Sequence, residues 1–146
     1  IIPKIEAFGR DFPQVNLAIS LHAPNDEIRN RLMPINKKYP MKELLEACEK
    51  HTEITGRRIT FEYSMIRGIN DEKAHAEELA TKLQGMLCHV NLIPLNPVSE
   101  REYEAADRKS VEVFRKALED KGVQVTVRRE LGTDIDGACG QLRLGF

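Results

Sequence analysis

The chain has 146 residues, of which 41% are hydrophobic and 31% charged, and its net charge is −1. That composition excludes a disordered segment, and the length suits one domain that buries a core without disulfide or metal staples. The near-neutral charge argues against a general nucleic-acid binder, so Lys37-Lys38, Arg57-Arg58 and Arg128-Arg129 read as solvated surface.

Residues 3–10 fit the end of a helix, with Ile5 and Phe8 on one face. Val15 to Leu21 is a short apolar run between Pro13 and Pro24 and reads as a buried strand. Residues 24–40 are rich in proline, asparagine and charge, and read as a long loop with a turn of helix around Glu27–Leu32. A clear helix follows: Pro40 opens it, Met41, Leu44, Leu45 and Cys48 recur on one face, and Gly56 closes it. Ile59 to Ile66 is the second strand. Gly68-Ile69-Asn70-Asp71 is a turn expected to cap the next helix, whose inner face is Ala76, Leu79, Ala80 and Leu83 and which stops near Gly85. Cys88 to Leu95 is a third strand, followed by a polar loop over 98–106. Asp107 is placed to cap a third helix with Val111, Phe114 and Leu118 inward and Gly122 at its end; Val123 to Arg129 is a fourth strand.

Helices between buried strands predict right-handed crossovers and a parallel α/β sheet of about four strands with three crossover helices. In such a sheet, chemistry gathers in loops at the C-terminal strand ends. Here these are Ser20-Leu21-His22, Arg67-Gly68-Ile69-Asn70, Pro94-Leu95-Asn96-Pro97 and the segment 130–142 with Cys139. His22 suits a ligand, a base or a plain hydrogen-bonding group. Asn96, between two prolines, is a fixed amide able to read a carboxylate, an amine or a nucleobase edge. Cys139 sits among Gly137, Ala138 and Gly140, which leaves room for an approaching substrate and suits a reactive thiol. Singly, each is as well explained by structure; together they predict a small-molecule site.

The three cysteines, at 48, 88 and 139, form no CxxC pair, which speaks against a disulfide framework or a zinc knuckle. No apolar run is long enough to span a membrane and no basic-then-apolar leader is present, so a cytoplasmic location is expected. The chain starts Ile1-Ile2-Pro3 and reads as a piece of a longer protein.

Ser20-Leu21-His22-Ala23-Pro24, Arg31-Leu32-Met33-Pro34-Ile35-Asn36, Pro94-Leu95-Asn96-Pro97 and Asp134-Ile135-Asp136-Gly137-Ala138-Cys139-Gly140-Gln141-Leu142 resemble, in order, the C-terminal half of the RlmN/Cfr family of radical S-adenosylmethionine RNA methyltransferases. The resemblance implies that residues 1–146 are the C-terminal part of a partial (β/α) TIM-like barrel. It implies that Ser20, Leu21, His22 and Asn96 line the S-adenosylmethionine site and that Cys139 is the methyl-carrying cysteine. The implied reaction methylates carbon 2 of an adenosine in 23S rRNA and tRNA. In the family, the cysteine takes a methyl group from one S-adenosylmethionine, a radical made from a second on a [4Fe-4S] cluster activates that methyl, and another cysteine resolves the protein–RNA adduct. An electron donor for the cluster is implied as a partner.

The cluster's CxxxCxxC motif, the resolving cysteine and an upstream Gly-Glu segment are absent from this sequence. The chain alone is therefore expected to be inactive, to supply no metal ligands, and to self-associate through the open edge of its first strand. The resemblance is shared with the relative that methylates carbon 8 of the same rRNA adenosine. A hydrolase using Cys139 with His22, and a non-catalytic α/β scaffold, are the readings from other classes.

Overall fold

The computed structural model describes residues 2–94 and 103–128. Its elements run in the order α1 (Ile2–Asp11), β1 (Ala18–Ser20), α2 (Asp26–Leu32), a 3-10 turn (Pro34–Lys37), α3 (Met41–Thr55), β2 (Ile59–Met65), α4 (Lys73–Leu83), β3 (Cys88–Pro94), α5 (Arg108–Asp120) and β4 (Gln124–Val127). The four strands form one sheet in the order β1-β2-β3-β4, and every pairing is parallel. The expected parallel α/β sheet with crossover helices is thus present.

Sequential order without reversal separates this sheet from a doubly wound one. Right-handed crossovers that always step the same way put every helix on the same side. The burial pattern agrees. On β2, Ile59, Phe61, Tyr63 and Met65 are buried, while the alternating Thr60, Glu62 and Ser64 are half-buried. The buried set joins one core with Leu44 and Cys48 of α3, Leu79 and Leu83 of α4, and Phe114 and Leu118 of α5. Tyr63 and Phe114 meet with ring centroids 5.0 Å apart, an aromatic contact inside that core.

The other face is mostly polar, with Ile93 beside Ser64 its buried apolar exception among the described residues of β2 and β3. Register aligns Ser20, Glu62, Asn91 and Thr126 in one row across all four strands, and Thr60, His89 and Gln124 in the row before it. Thr126 Oγ1 donates to Asn91 Oδ1 at 3.3 Å and lies 2.7 Å from His89 Nε2. Arg128 reaches Glu62 at 3.4 Å. A parallel sheet sandwiched between helix layers is apolar on both faces; one with helices on a single side and polar rows on the other fits the wall of a barrel.

Several boundaries differ from the sequence expectation. β1 has three residues rather than the seven of Val15–Leu21, because Val15 and Asn16 are exposed and only Ala18–Ser20 pair with β2. The segment 24–40 is not a loop with one turn: α2 takes up seven of its residues, capped by Asn25 Oδ1 accepting from Ile28 N at 2.9 Å. Gly56 closes α3 as expected, in the left-handed conformation (φ 67°) that glycine adopts without strain. Asp107 caps α5, its Oδ1 accepting from Ser110 N at 2.7 Å. Asn70 does not cap α4; Glu72 stands at that position, its N–H donating to His75 Nδ1 at 3.2 Å. The fourth strand ends at Val127, and part of the expected polar loop, like the whole segment 130–142, lies outside the described residues.

Candidate functional site

Because all strands are parallel, their C-terminal ends share one rim, and Ser20-Leu21-His22 leaves β1 there. Its backbone is fixed at almost every polar atom. Leu21 N and His22 N both donate to Glu62 O, at 2.9 and 3.3 Å. Arg29 donates from Nη2 to Ser20 O at 3.0 Å and from Nε to Leu21 O at 3.1 Å. Asn70 Nδ2 donates to His22 O at 2.8 Å. His22 itself has φ 59°, a left-handed conformation costly for a side chain with a Cβ, and the surrounding bonds hold it there.

β1 stops at Ser20 while β2 continues to Met65, which would leave the last residues of β2 with open backbone groups. Two side chains take the missing strand's place. His22 Nδ1 accepts from Ser64 N at 2.8 Å. Asn70 donates to Ser64 O at 2.8 Å and accepts from Ile66 N at 2.7 Å, and its own carbonyl accepts the Tyr63 hydroxyl at 2.6 Å. Asn70 is fully buried.

These bonds set the chemistry of His22. An Nδ1 that accepts a backbone N–H leaves the ring proton on Nε2. The ring is buried, and burial together with the nearby Arg29 charge lowers its pKa from 6.5 to about 4. At neutral pH His22 is an uncharged ring whose Nδ1 is committed to structure. That removes the base required by the cysteine hydrolase reading.

A second layer holds the segment from outside. Arg29 is buried, and its third contact is Nη1 to Asn36 Oδ1 at 2.8 Å. Asn36 in turn donates to Asp26 Oδ1 at 2.9 Å and Asn30 Oδ1 at 2.7 Å, and Asp26 accepts Met41 N at 2.9 Å. The bond from Met41 is the leading cause that holds the Asp26 carboxyl below its usual range. Asn25 Nδ2 bonds Glu78 Oε1 at 3.0 Å, and Lys82 bonds Pro24 O, so α4 grips the same segment.

Of the five expected site residues, Ser20, Leu21 and His22 stand together on the rim. Asn96 and Cys139 lie outside the described residues. Asn70 stands in a rim loop named from the sequence, but its role there has no sequence signal, and Arg29 and the polar row Glu62–Asn91–Thr126 are not among the expected site residues. The row was visible as strict alternation in Ile59-Thr60-Phe61-Glu62-Tyr63-Ser64-Met65. Among the described residues, no group of three or more His, Cys, Asp or Glu is placed to hold a metal ion. Cys48 and Cys88 are buried, and burial pushes their thiols up to about 12 and about 11, which suits packing and not ligation of a cluster. No described helix is long and apolar enough to cross a membrane.

A one-sided parallel sheet with a polar inner face and a rigid C-terminal rim defines a segment of a (β/α) barrel enzyme fold. The comparisons agree. A radical SAM methyltransferase from Sphaerobacter thermophilus superposes with a TM-score of 0.91 and 48% identity, over 97% of this chain and 41% of that one. A domain of a pyruvate-formate lyase-activating enzyme from Bacteroides vulgatus shares the fold, with a TM-score of 0.64 at 14% identity over 88% of this chain and 73% of that one. In sequence, the chain matches a part of the dual-specificity RNA methyltransferases named RlmN. It is 57% identical over 143 residues to the probable RlmN of a Thermoanaerobacter species and to that of Bacillus pumilus, in each case over 98% of this chain. The chain spans 42% and 40% of the length of those two relatives. No protein-family model matches the chain.

Proposed function

We propose that the chain is the C-terminal part of a radical S-adenosylmethionine RNA methyltransferase acting on carbon 2 of adenosine in 23S rRNA and tRNA. The observation that carries this reading is the 57% identity, over 98% of the chain, to relatives named as dual-specificity RNA methyltransferases. The rigid rim segment Ser20–His22 beside a polar inner face fits a polar ligand such as S-adenosylmethionine. Ser20, Leu21 and His22 would hold that ligand with Asn96, and Cys139 would carry the methyl group. A [4Fe-4S] cluster, with ligands outside this chain and an external electron donor, supplies the electron for radical chemistry when bound.

The substrate explains the need for a carrier. Carbon 2 of adenine lies between two ring nitrogens and is electron-poor, so it does not attack a sulfonium methyl as a nucleophile. A cysteine thiolate does, and small neighbours such as Gly137, Ala138 and Gly140 let a splayed-out adenine reach its sulfur. RNA of this kind places the enzyme in the cytoplasm. The isolated chain, without cluster ligands, is inactive.

The test uses the full-length polypeptide with reconstituted cluster, reductant and methyl-labelled S-adenosylmethionine. Label appears on an RNA adenine, and Cys139→Ala abolishes it. Methylation retained by that variant overturns the role of Cys139. Mass analysis of the nucleoside separates carbon 2 from carbon 8, the position set by the related resistance enzyme.

A further inference from the structure

We infer that Arg29 is a positioning residue for the S-adenosylmethionine segment, its guanidinium fixing the two peptide planes that flank Leu21. The inference rests on the reading that Ser20–His22 meets that ligand. The first plane carries Ser20 O, bonded to Arg29 Nη2 at 3.0 Å, and Leu21 N, bonded to Glu62 O at 2.9 Å. The second carries Leu21 O, bonded to Arg29 Nε at 3.1 Å, and His22 N, bonded to Glu62 O at 3.3 Å. Each plane is held from opposite sides, by a strand on one and by one side chain on the other.

Only a fork does this. Nε and Nη2 are set apart by a rigid planar group and reach two successive carbonyls at once; an ammonium is a point donor on a flexible stem. The fork is itself aimed, because Nη1 is held by Asn36, and Asn36 by Asp26 and Asn30. Asp26 stands one hydrogen bond further on, behind Asn36, so among the described residues the buried guanidinium meets carbonyls and an amide, with no carboxylate in direct contact. A buried charge arranged this way adds little stability that packed apolar atoms would not. What it adds is a defined path for the chain from Ser20 to His22, where the left-handed turn aims the following residues.

The experiment measures S-adenosylmethionine cleavage by the full-length, cluster-loaded protein, comparing wild type, Arg29→Lys, Asn36→Ala and Leu118→Ala. Leu118 is fully buried on α5, far along the chain from the rim, and its truncation reports the effect of lost stability alone. For Arg29→Lys the KM for S-adenosylmethionine rises about tenfold while kcat changes by less than about threefold; for Asn36→Ala the KM rises about threefold. Leu118→Ala lowers the yield of active enzyme with KM unchanged. If Arg29→Lys and Asn36→Ala keep the wild-type KM, the two residues are structural only and the inference is overturned. If Arg29→Lys does not fold, Asn36→Ala decides by the same criterion. A wild-type protein that neither binds nor cleaves S-adenosylmethionine overturns the functional reading itself, a failure distinct from an unmoved KM.

Discussion

The imidazole of His22 accepts the backbone N–H of Ser64 at 2.8 Å, so a residue at the end of β1 completes the hydrogen bonding of β2. An acceptor in that position works only while the ring is neutral. The folded ring holds off protonation until about pH 4, whereas an unfolded one takes up its proton near 6.5. Stability from this group is therefore fully present above that range, falls as pH drops from about 6.5 to about 4, and levels off below, a loss of about 3 kcal/mol. His22→Asn, which tolerates the left-handed conformation, is less stable at neutral pH and shows a shallower fall with acid. Urea denaturation of both proteins across that pH range measures the difference. Parallel curves would show that another group controls it.

Asn70 satisfies Ser64 O, His22 O and Ile66 N with a single amide. Asn70→Ala leaves all three buried groups without that partner and costs on the order of 3 kcal/mol or more. Asn70→Asp keeps the acceptor for Ile66 N but turns a carboxylate toward two carbonyls. Part of its loss returns when the pH is lowered enough to protonate that carboxyl. Urea midpoints at neutral and acid pH, each taken against wild type at the same pH, read both effects, and an Asp variant whose gap to wild type does not narrow with acid would contradict the assignment.

Gly9 lies inside α1, where alanine would ordinarily gain about 1 kcal/mol in helix propensity. A Cβ there stands 3.0 Å from His51 Cδ2 and 3.3 Å from Thr55 Cγ2. His51 is 1% exposed, so its ring must push against packed neighbours to give way. Gly9→Ala therefore destabilises the protein by loosening α1 from α3, lowering the thermal midpoint where the propensity scale alone would raise it. A rise in the midpoint would show that His51 can move.

The isolated chain is expected to self-associate through the edge of β1. The edge is shorter than the apolar run suggested, and Arg29 occupies the carbonyl of its last residue. Ala18, exposed at its start, would be the point of pairing. Light scattering shows a mass that grows with concentration, and Ala18→Lys, which puts a charge on the edge, restores the monomer. A monomer at every concentration in the unaltered chain would end this idea.

Much of the architecture was legible in the sequence because it depends on local rules. The helix over Met41–Thr55 has its apolar stripe and its Gly56 stop, and Asp107 caps α5 as its position suggests. The strand alternation was also present in the sequence, and it distinguishes a barrel wall from a doubly wound sheet. The rim was legible only as a list of candidates. That His22 would turn left-handed and cap a neighbouring strand depends on where β1 stops relative to β2, a tertiary fact with no local signature. The turn Gly68-Ile69-Asn70-Asp71 read as a cap for the next helix because Asn and Asp before a helix usually supply one; for Asn70 the demand for a donor and an acceptor at the end of β2 outweighed that preference. Arg29 looked like one more charge in a polar stretch, since its partners are backbone carbonyls and carry no residue code.

Asn70 has a further consequence for motion. The amide closes Ser64 O, Ile66 N and His22 O, and the His22 it holds closes Ser64 N–H through Nδ1, so the four open together. Native-state hydrogen exchange would then find the Ser64 and Ile66 amides, though they lie at the end of a strand, exchanging at one common slow rate. Arg67, bonded across to Glu104 O on the exposed side, would exchange far faster. The rim yields as a single unit, and a bound molecule that contacts any part of it would slow the exchange of the whole.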